Sequence, residues 1–110
     1  MRNEDQIKAM AAADGYEYRQ GRDWLMNSRW HKNDIEIPDF LLPDYFTDAN
    51  QIDRMVRKLD EVHLSRYENS LHEILNRDDP NYVRYSFSIW KATTAQKVEA
   101  YLRAIGKWED

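Results

Sequence analysis

The sequence predicts an α+β fold, in which a small antiparallel sheet of about three to four strands packs with three to four helices in a sandwich-like arrangement. Aromatic and apolar residues spaced by even numbers between Tyr16 and Trp30 are typical of strands, and so is the alternation from Val83 to Ile89. Apolar residues recur with helical spacing near residues 52–59 and 98–105. Together, the two periods predict a sheet that is covered by helices.

The composition narrows the classes of protein to which the chain can belong. Its 110 residues are the length of one domain, 1–110, with a short helix and hairpin at 1–41 and a helix-rich part at 42–110. A net charge of −4 does not favour nucleic acid as a partner, because phosphate backbones select basic surfaces. No apolar run reaches the roughly 18 residues that span a bilayer. The absence of cysteine fits the reducing cytoplasm, where we expect the protein to act without contacting a membrane.

The first element is predicted to be a short helix. Asn3 or Asp5 is expected to cap it, because short polar side chains accept hydrogen bonds from the free N–H groups of a first turn. Asp14-Gly15 is a natural end, since glycine readily adopts the left-handed conformation that follows a helix. The apolar face of this helix carries Ile7, Met10 and Ala11.

A β-hairpin is predicted to follow, with Gln20-Gly21-Arg22-Asp23 between its two strands. Even spacing places one set of side chains on the same face of the hairpin. That set consists of Tyr16, Tyr18, Trp24, Met26 and Trp30. Residues 31–43 are predicted to be a loop that contains a short strand at Ile35-Glu36-Ile37.

Two helices are predicted in the middle of the chain. Asp48-x-x-Gln51 is close to a capping box and predicts the start of the first. Ser65-x-x-Glu68 predicts the start of the second, over residues 65–76. Helical spacing defines both apolar faces. They carry Ile52, Met55, Val56 and Leu59 in the first helix, and Leu64, Tyr67, Leu71, Ile74 and Leu75 in the second.

A strand and a final helix complete the predicted fold. Alternating apolar and polar residues from Val83 to Ile89 predict a strand with one buried face. Thr93-x-x-Gln96 predicts the capped start of the last helix, and Gly106 predicts its end. The buried stripe of that helix carries Val98, Tyr101, Leu102 and Ile105.

The sequence predicts neither an enzyme nor a protein that carries a cofactor or a metal. The three histidines are not spaced as ligands on one helix face. The chain has no cysteine, no glycine-rich phosphate loop and no nucleophile-elbow motif. Asp39, Asp44 and Asp48 are close enough in sequence to form a cation site, but a capping role for Asp48 and solvated positions for the others are the favoured interpretation.

One candidate ligand-binding set precedes the last helix and consists of Trp90, Lys91, Thr93 and Thr94. It combines a stacking face, a cation and hydroxyl groups with the N–H groups of a helix N-terminus, which attract anions. Such a set suits an anionic, nucleotide-type molecule. The alternative is that Thr93 only caps the helix and Trp90 packs in the core.

A second candidate is a basic patch on the first of the two middle helices. Arg54, Arg57 and Lys58 lie on one face there, beside the apolar stripe. The next residues in the chain, Asp60 and Glu61, are acidic, so the patch is short. A solvated helix face is the alternative interpretation of these three cations.

Two segments resemble one family. Leu42-Pro43-Asp44-Tyr45-Phe46-Thr47-Asp48 leads into a helix, and residues 92–109 include the last helix and its end. The matching positions are Leu42, Pro43, Tyr45 and Asp48, and then Ala92, Thr94, Ala95, Gln96, Glu99, Ala100, Leu102, Arg103, Gly106, Trp108 and Glu109. The segments are similar to the bacteriophage ABA-sandwich (α/β/α) domain family of small phage and prophage proteins. The resemblance implies a fold and a viral origin, and it implies no catalytic residues.

We therefore expect a small phage-encoded binding protein that masks a host defence or regulatory component in the host cytoplasm. Its partner is expected to be a host protein, and the alternatives are a nucleotide-type small molecule that the protein sequesters or a role as a structural or packaging accessory. Fourteen aromatic residues are many for this length. Most are expected in the core, and the surplus favours an interface, including one within a homo-oligomer.

Overall fold

Four helices and three short strands make up the described part of the chain, which comprises residues 1–19, 29–33, 35–37, 42–79 and 92–109 of a computed structural model. The elements, in order, are α1 Asn3–Ala13, β1 Glu17–Arg19, β2 Arg29–Lys32, β3 Ile35–Ile37, α2 Ala49–Val56, α3 Glu61–Asp78 and α4 Thr94–Ala104. The α+β class is confirmed. In these ranges, no helix has both the length and the apolar content needed to cross a membrane.

Helix α1 begins at Asn3, whereas a cap at Asn3 would place its first residue at Glu4. Its N-cap is Arg2, which provides no side-chain hydrogen bond, so the expected capping by Asn3 or Asp5 is wrong. Met10 and Ala11 are fully buried as predicted, but Ile7 remains 36% exposed. The buried face is rotated towards Gln6, whose Nε2 donates to the Met1 carbonyl at 3.1 Å. Ile7 therefore lies at the edge of the core, where it is accessible from outside.

The three strands form an antiparallel sheet in the order β1-β2-β3. Tyr18 lies opposite Trp30, and Trp30 lies opposite Ile37, so the predicted hairpin and the short third strand are both confirmed. Asn33, in the short connection between β2 and β3, has a φ of 53°, a left-handed conformation that asparagine tolerates. The predicted turn at 20–23, Trp24, Met26 and the predicted strand at 83–89 lie outside the described residues.

Helix α2 starts where the sequence predicts. Asp48 is its N-cap, and its Oδ1 accepts a hydrogen bond from the Asn50 N–H at 3.0 Å. The Gln51 side chain donates to the other carboxylate oxygen at 3.3 Å. Ile52 and Met55 are buried, as the helical spacing predicts.

Helix α3 is confirmed as a helix, but it begins a full turn before the predicted start at Ser65. Its N-cap is Asp60, whose Oδ1 accepts a hydrogen bond from the His63 N–H at 2.8 Å. Ser65 therefore lies inside the helix and caps nothing. The longer helix brings Leu64 against the core along with the four buried residues of the predicted face, which are Tyr67, Leu71, Ile74 and Leu75.

Helix α4 lies at the centre of the helical packing, where it contacts α1, α2 and α3. Its predicted capping box is confirmed, with Thr93 and Gln96 each bonded to the other's backbone N–H. Val98, Ala100 and Leu102 are fully buried. Because these positions cover more than one side of the helix, α4 is enclosed by other elements of the fold.

Two glycines end helices in the same way. Gly15 after α1 and Gly106 after α4 have φ values of 95° and 75°, which residues with a side chain rarely adopt. Beyond each glycine, the next N–H bonds back to the helix, from Tyr16 to Ala11 at 2.9 Å and from Lys107 to Leu102 at 2.8 Å. These are Schellman motifs, which satisfy carbonyl groups at the end of a helix.

Candidate functional site

An open cleft of about 620 Å³ lies between α1, the sheet and the segment 42–46. Helix α1 contributes Glu4, Ile7 and Lys8, and the strands contribute Tyr18 and Trp30. The volume falls in the range of roughly 300–1,000 Å³ that is typical of ligand pockets. Residues from four separate parts of the sequence thus form one concave surface.

The walls of this cleft are mainly apolar and aromatic. Tyr18 and Ile7 are 44% and 36% exposed, whereas Trp30 is almost completely buried. The Tyr18 and Trp30 rings contact each other across the β1–β2 pair, with centroids 5.0 Å apart and planes tilted by 58°. Leu42 and Phe46 contribute further apolar lining from the opposite side. Large apolar side chains therefore remain accessible on a surface that is concave.

Three charged side chains line the same cleft. The Lys8 ammonium lies over the face of the Tyr18 ring, 5.2 Å from its centroid. Glu4 is exposed one helical turn before Lys8. Asp44 accepts hydrogen bonds from the Thr47 hydroxyl and from the N–H groups of Thr47 and Phe46, and these bonds, chiefly those from Thr47, lower the pKa of its carboxyl group. Asp44 is therefore an anion at neutral pH.

A hydrogen-bonded cluster behind the cleft fixes the segment 42–46 to two helices. The buried Tyr45 donates its hydroxyl to Asp14 Oδ2 at 2.9 Å. Arg54 of α2 makes two parallel bonds of 2.8 Å to the Asp14 carboxylate, and its Nη2 also donates to Gln51 Oε1 at 3.0 Å. Burial alone would raise the pKa of Asp14, but the bonds from Arg54 and Tyr45 outweigh it and lower that pKa. The cluster thus joins the end of α1, the cleft wall and α2.

The Asp14–Tyr45–Arg54 cluster includes one of the three residues of the predicted basic patch. Arg54 is bound to Asp14, whereas Arg57 and Lys58 are exposed beyond the end of α2. The guanidinium of Arg54 therefore has a structural task, and its side chain is also 39% exposed. Two exposed cations remain from the patch that the helical spacing predicted.

The other predicted ligand set is described only in part. Trp90 and Lys91 lie outside the described residues, and Thr94 is the first residue of α4. The Thr93 hydroxyl accepts a hydrogen bond from the Gln96 N–H at 3.1 Å, and the Thr93 N–H donates to Gln96 Oε1 at 2.9 Å. The polar groups of Thr93 are thus occupied by helix capping, which is the structural alternative that the sequence left open.

Replacing Thr93 by alanine is expected to lower the free energy of unfolding by about 1 kcal/mol, because a helix N–H loses its partner. Thr94→Ala is the matched control, since Thr94 is not the capping residue, and its effect is expected to stay within about 0.5 kcal/mol. Urea unfolding followed by circular dichroism measures both. Equal stability of Thr93→Ala and the parent protein would show that the cap contributes nothing.

A second polar cluster joins α3 to α4. Glu99, which is 8% exposed, accepts bonds of 2.9 and 3.1 Å from Arg77 and of 2.8 Å from Arg103. Burial opposes its ionisation, but these guanidinium groups lower its pKa. Arg77 also bonds to Asp78, which receives the Gln96 amide at 3.1 Å. Glu99 and Gln96, two of the positions that carry the family resemblance, thus link α4 to α3, and Arg103 supports Glu99 from within α4.

Within the described ranges, no group of three potential ligand side chains is arranged to hold a metal ion. Two of the three carboxylates for which the sequence offered a cation site have other tasks. Asp44 closes a turn with Thr47, and Asp48 caps α2. Asp39 lies outside the described residues.

Sequence reasoning missed the cleft because its residues are far apart in the chain. The helical pattern of α1 predicted Ile7 in the core, and Lys8 had no distinguishing feature. A usable signal was present at residues 42–46, where Leu42, Tyr45 and Phe46 occur close together before the helix predicted to begin at Asp48 and outside any predicted helix or strand. Such clustering outside a helix or strand indicates either a loop that packs on the core or an exposed binding surface.

Comparisons with known proteins found no match for this chain among protein families, curated proteins or solved structures.

Proposed function

We propose that this protein is a small, non-catalytic binding protein, encoded by a bacteriophage or prophage, that masks a host defence or regulatory component in the host cytoplasm. The cleft formed by α1, the sheet and residues 42–46 receives part of the protein partner. The observation that carries this proposal is the accessible aromatic and apolar lining of that cleft, with Ile7 and Tyr18 exposed.

The shape and chemistry of the cleft suit a protein partner. Binding energy at protein interfaces is concentrated in a few large side chains that enter well-packed pockets, surrounded by a polar rim. Here Tyr18, Trp30 and Phe46 supply the aromatic lining, and Glu4 and Lys8 supply charge beside it. A rigid wall also favours binding, because less conformational freedom is lost. The Asp14–Tyr45–Arg54 cluster holds one wall in this way.

The phage origin rests on the resemblance of residues 42–48 and 92–109 to the ABA-sandwich family. The two segments have different roles in the fold. Residues 42–46 of the first segment line the cleft, whereas Thr93, Leu102 and Gly106 in or beside the second cap, fill and end α4. The proposal therefore assigns the binding surface to the first segment and a structural role to the second.

Sequestration of a nucleotide-type molecule is the weaker alternative. It requires a site before α4, and Thr93 already uses its hydroxyl and N–H groups in the capping box. The packaging alternative differs in its partner, which would be a virion protein and not a host protein. The identity of the molecule that the protein binds separates both alternatives from the main proposal.

Affinity capture from host lysate tests the proposal when cleft variants are compared with a matched control. Ile7→Glu places a charge inside the cleft, and Val62→Glu places the same charge on α3 at a residue that is 60% exposed and does not line the cleft. We expect the parent protein and Val62→Glu to retain the same host protein and Ile7→Glu to retain at least about tenfold less, as for loss of an interface anchor.

Circular dichroism and unfolding midpoints must show that both variants fold before the comparison is made. Equal capture by Ile7→Glu and Val62→Glu would contradict a role for the cleft. When the lysate is prepared from infected host cells, recovery of virion proteins in place of a host protein would support the packaging alternative. A nucleotide released by heating the purified protein would support sequestration.

A further inference from the structure

We propose that the cleft selects a basic partner segment, in which an arginine or lysine is flanked by aliphatic residues, and that Lys8 is an internal competitor for the cation position. This inference rests on the proposed function, since it names the chemistry of the partner that enters the same cleft. Two features carry it, the position of the Lys8 ammonium and the balance of charge in the lining.

The position of Lys8 shows where the cleft holds a cation. Glu4 precedes Lys8 by four residues in α1, the spacing at which oppositely charged side chains pair along a helix. The ammonium nevertheless lies 5.2 Å from the centroid of the Tyr18 ring. Aromatic faces attract cations through the negative charge of their π-systems. The Tyr18 face therefore acts as a cation site, and the chain fills it with its own side chain.

The charge balance of the lining favours a positive partner. Two carboxylates, Glu4 and Asp44, face one ammonium, Lys8, which leaves a formal charge of −1. Asp44 is held in its ionised form by hydrogen bonds from Thr47 and Phe46. The whole chain has a net charge of −4, so the long-range field also attracts cations. An acidic partner segment would meet repulsion in the cleft and around it.

The apolar lining of the cleft determines which residues are expected beside the basic residue in the partner segment. Ile7, Leu42 and Phe46 offer contact area that a hydrated ammonium or guanidinium cannot use. Aliphatic neighbours of the basic residue would cover these side chains, and its own methylene groups would contribute as well. A segment that presents both leucine and arginine to the cleft therefore matches its apolar lining and its cation position.

Lys8 competes with such a segment for the same ring. An incoming guanidinium must displace the ammonium from Tyr18 or remain near a like charge, and both reduce affinity. Removal of the Lys8 charge is expected to strengthen binding of a basic segment, which is the reverse of the usual effect of removing a residue from a binding site. Removal of the Glu4 charge is expected to weaken it.

Synthetic peptides test this inference directly. A fluorescein-labelled twelve-residue peptide of alternating leucine and arginine is compared with the same peptide in which citrulline, a neutral isostere, replaces every arginine. Fluorescence anisotropy is measured up to about 1 mM protein for the parent, Lys8→Met and Glu4→Gln. Lys58→Met and Glu68→Gln are the matched controls, because each removes the same charge from an exposed residue outside the cleft.

We expect the arginine peptide to bind the parent at least about tenfold more tightly than the citrulline peptide, and the difference to shrink with added salt. Lys8→Met should strengthen arginine-peptide binding by about three- to tenfold, and Glu4→Gln should weaken it by a similar factor. The control variants should change the affinity for the arginine peptide by less than about twofold. Any small change should follow the altered net charge of the protein, with tighter binding by Lys58→Met and weaker binding by Glu68→Gln.

Equal binding of the two peptides, binding of neither, or weaker binding by Lys8→Met would overturn the inference. These results are distinct from failure of the proposed function, which depends on capture of a host protein by the parent and its loss in Ile7→Glu. If Ile7→Glu abolishes capture while both peptides bind equally, the cleft is a binding site without a preference for cations.

Discussion

Replacing Leu102 by alanine is expected to lower the free energy of unfolding by about 3 kcal/mol, within the range of roughly 2–5 kcal/mol found for buried leucines. Leu102 is fully buried in α4, the helix that contacts α1, α2 and α3. The substitution removes apolar contacts and leaves a cavity that several elements would have to move to fill. Because α4 is held on several sides, little relaxation is available.

Urea unfolding at pH 7 measures this effect, and Val62→Ala is the control on an exposed apolar residue. The control is expected to change stability by less than about 0.5 kcal/mol. A loss of less than about 1 kcal/mol in Leu102→Ala would contradict the central position of α4. An altered slope of unfolding against urea would indicate a change in the compactness of the native or denatured state, or a loss of two-state unfolding.

Replacing Arg54 by leucine is expected to lower the free energy of unfolding by about 2 kcal/mol at pH 7. Removal of one partner from a buried ion pair typically costs about 3–5 kcal/mol, and the smaller value reflects the 39% exposure of the Arg54 side chain. The Asp14 side chain is only 5% exposed and would retain Tyr45 as its remaining hydrogen-bond donor. Arg57→Leu, in an exposed position after the same helix, is the control.

The pH dependence of this variant distinguishes a lost ion pair from lost packing. In the parent protein the pKa of Asp14 is lowered, so its stabilising contribution is present above the unfolded pKa of about 3.9 and is lost as the pH falls through the lower folded value. Without Arg54, the pKa of Asp14 is expected to be higher than in the parent, because the guanidinium no longer offsets the effect of burial, and the folded variant then binds a proton at higher pH. The difference in stability between parent and variant should therefore narrow between pH 7 and pH 4.

A difference that stays constant over this pH range would show that Arg54 acts through packing alone. Arg57→Leu should show neither the loss at neutral pH nor the narrowing. Unfolding curves at four or more pH values, with the same ionic strength throughout, are sufficient to decide between these outcomes.

Local hydrogen bonding explains which elements were predictable from the sequence. The caps formed by Asp48 and by Thr93 with Gln96 depend on groups within three residues, so the sequence contains the whole interaction. The Ser65-x-x-Glu68 pattern failed for the same reason. It satisfies the local rule, but Asp60 offers an equivalent cap one turn earlier, and the longer helix also packs Leu64 on the core.

Long-range contacts explain what could not be predicted. The three cations after Ile52 share a helix face by spacing, yet Arg54 is bound to a carboxylate 40 residues earlier in the chain. Likewise, the cleft unites α1, two strands and residues 42–46, and no local pattern links them. Pairing across such distances is decided by the tertiary fold, which a helical or strand period does not encode.

The central position of α4 has a consequence for synthesis, because its residues follow those of every helix that it contacts. A ribosome adds roughly 5–20 residues per second, so α1, α2 and α3 emerge before the helix that they surround. During that interval their apolar faces lack the cover that α4 provides in the folded protein. We expect the growing chain to expose this apolar surface until residues 94–104 are released, and a stalled ribosome to prolong the exposure.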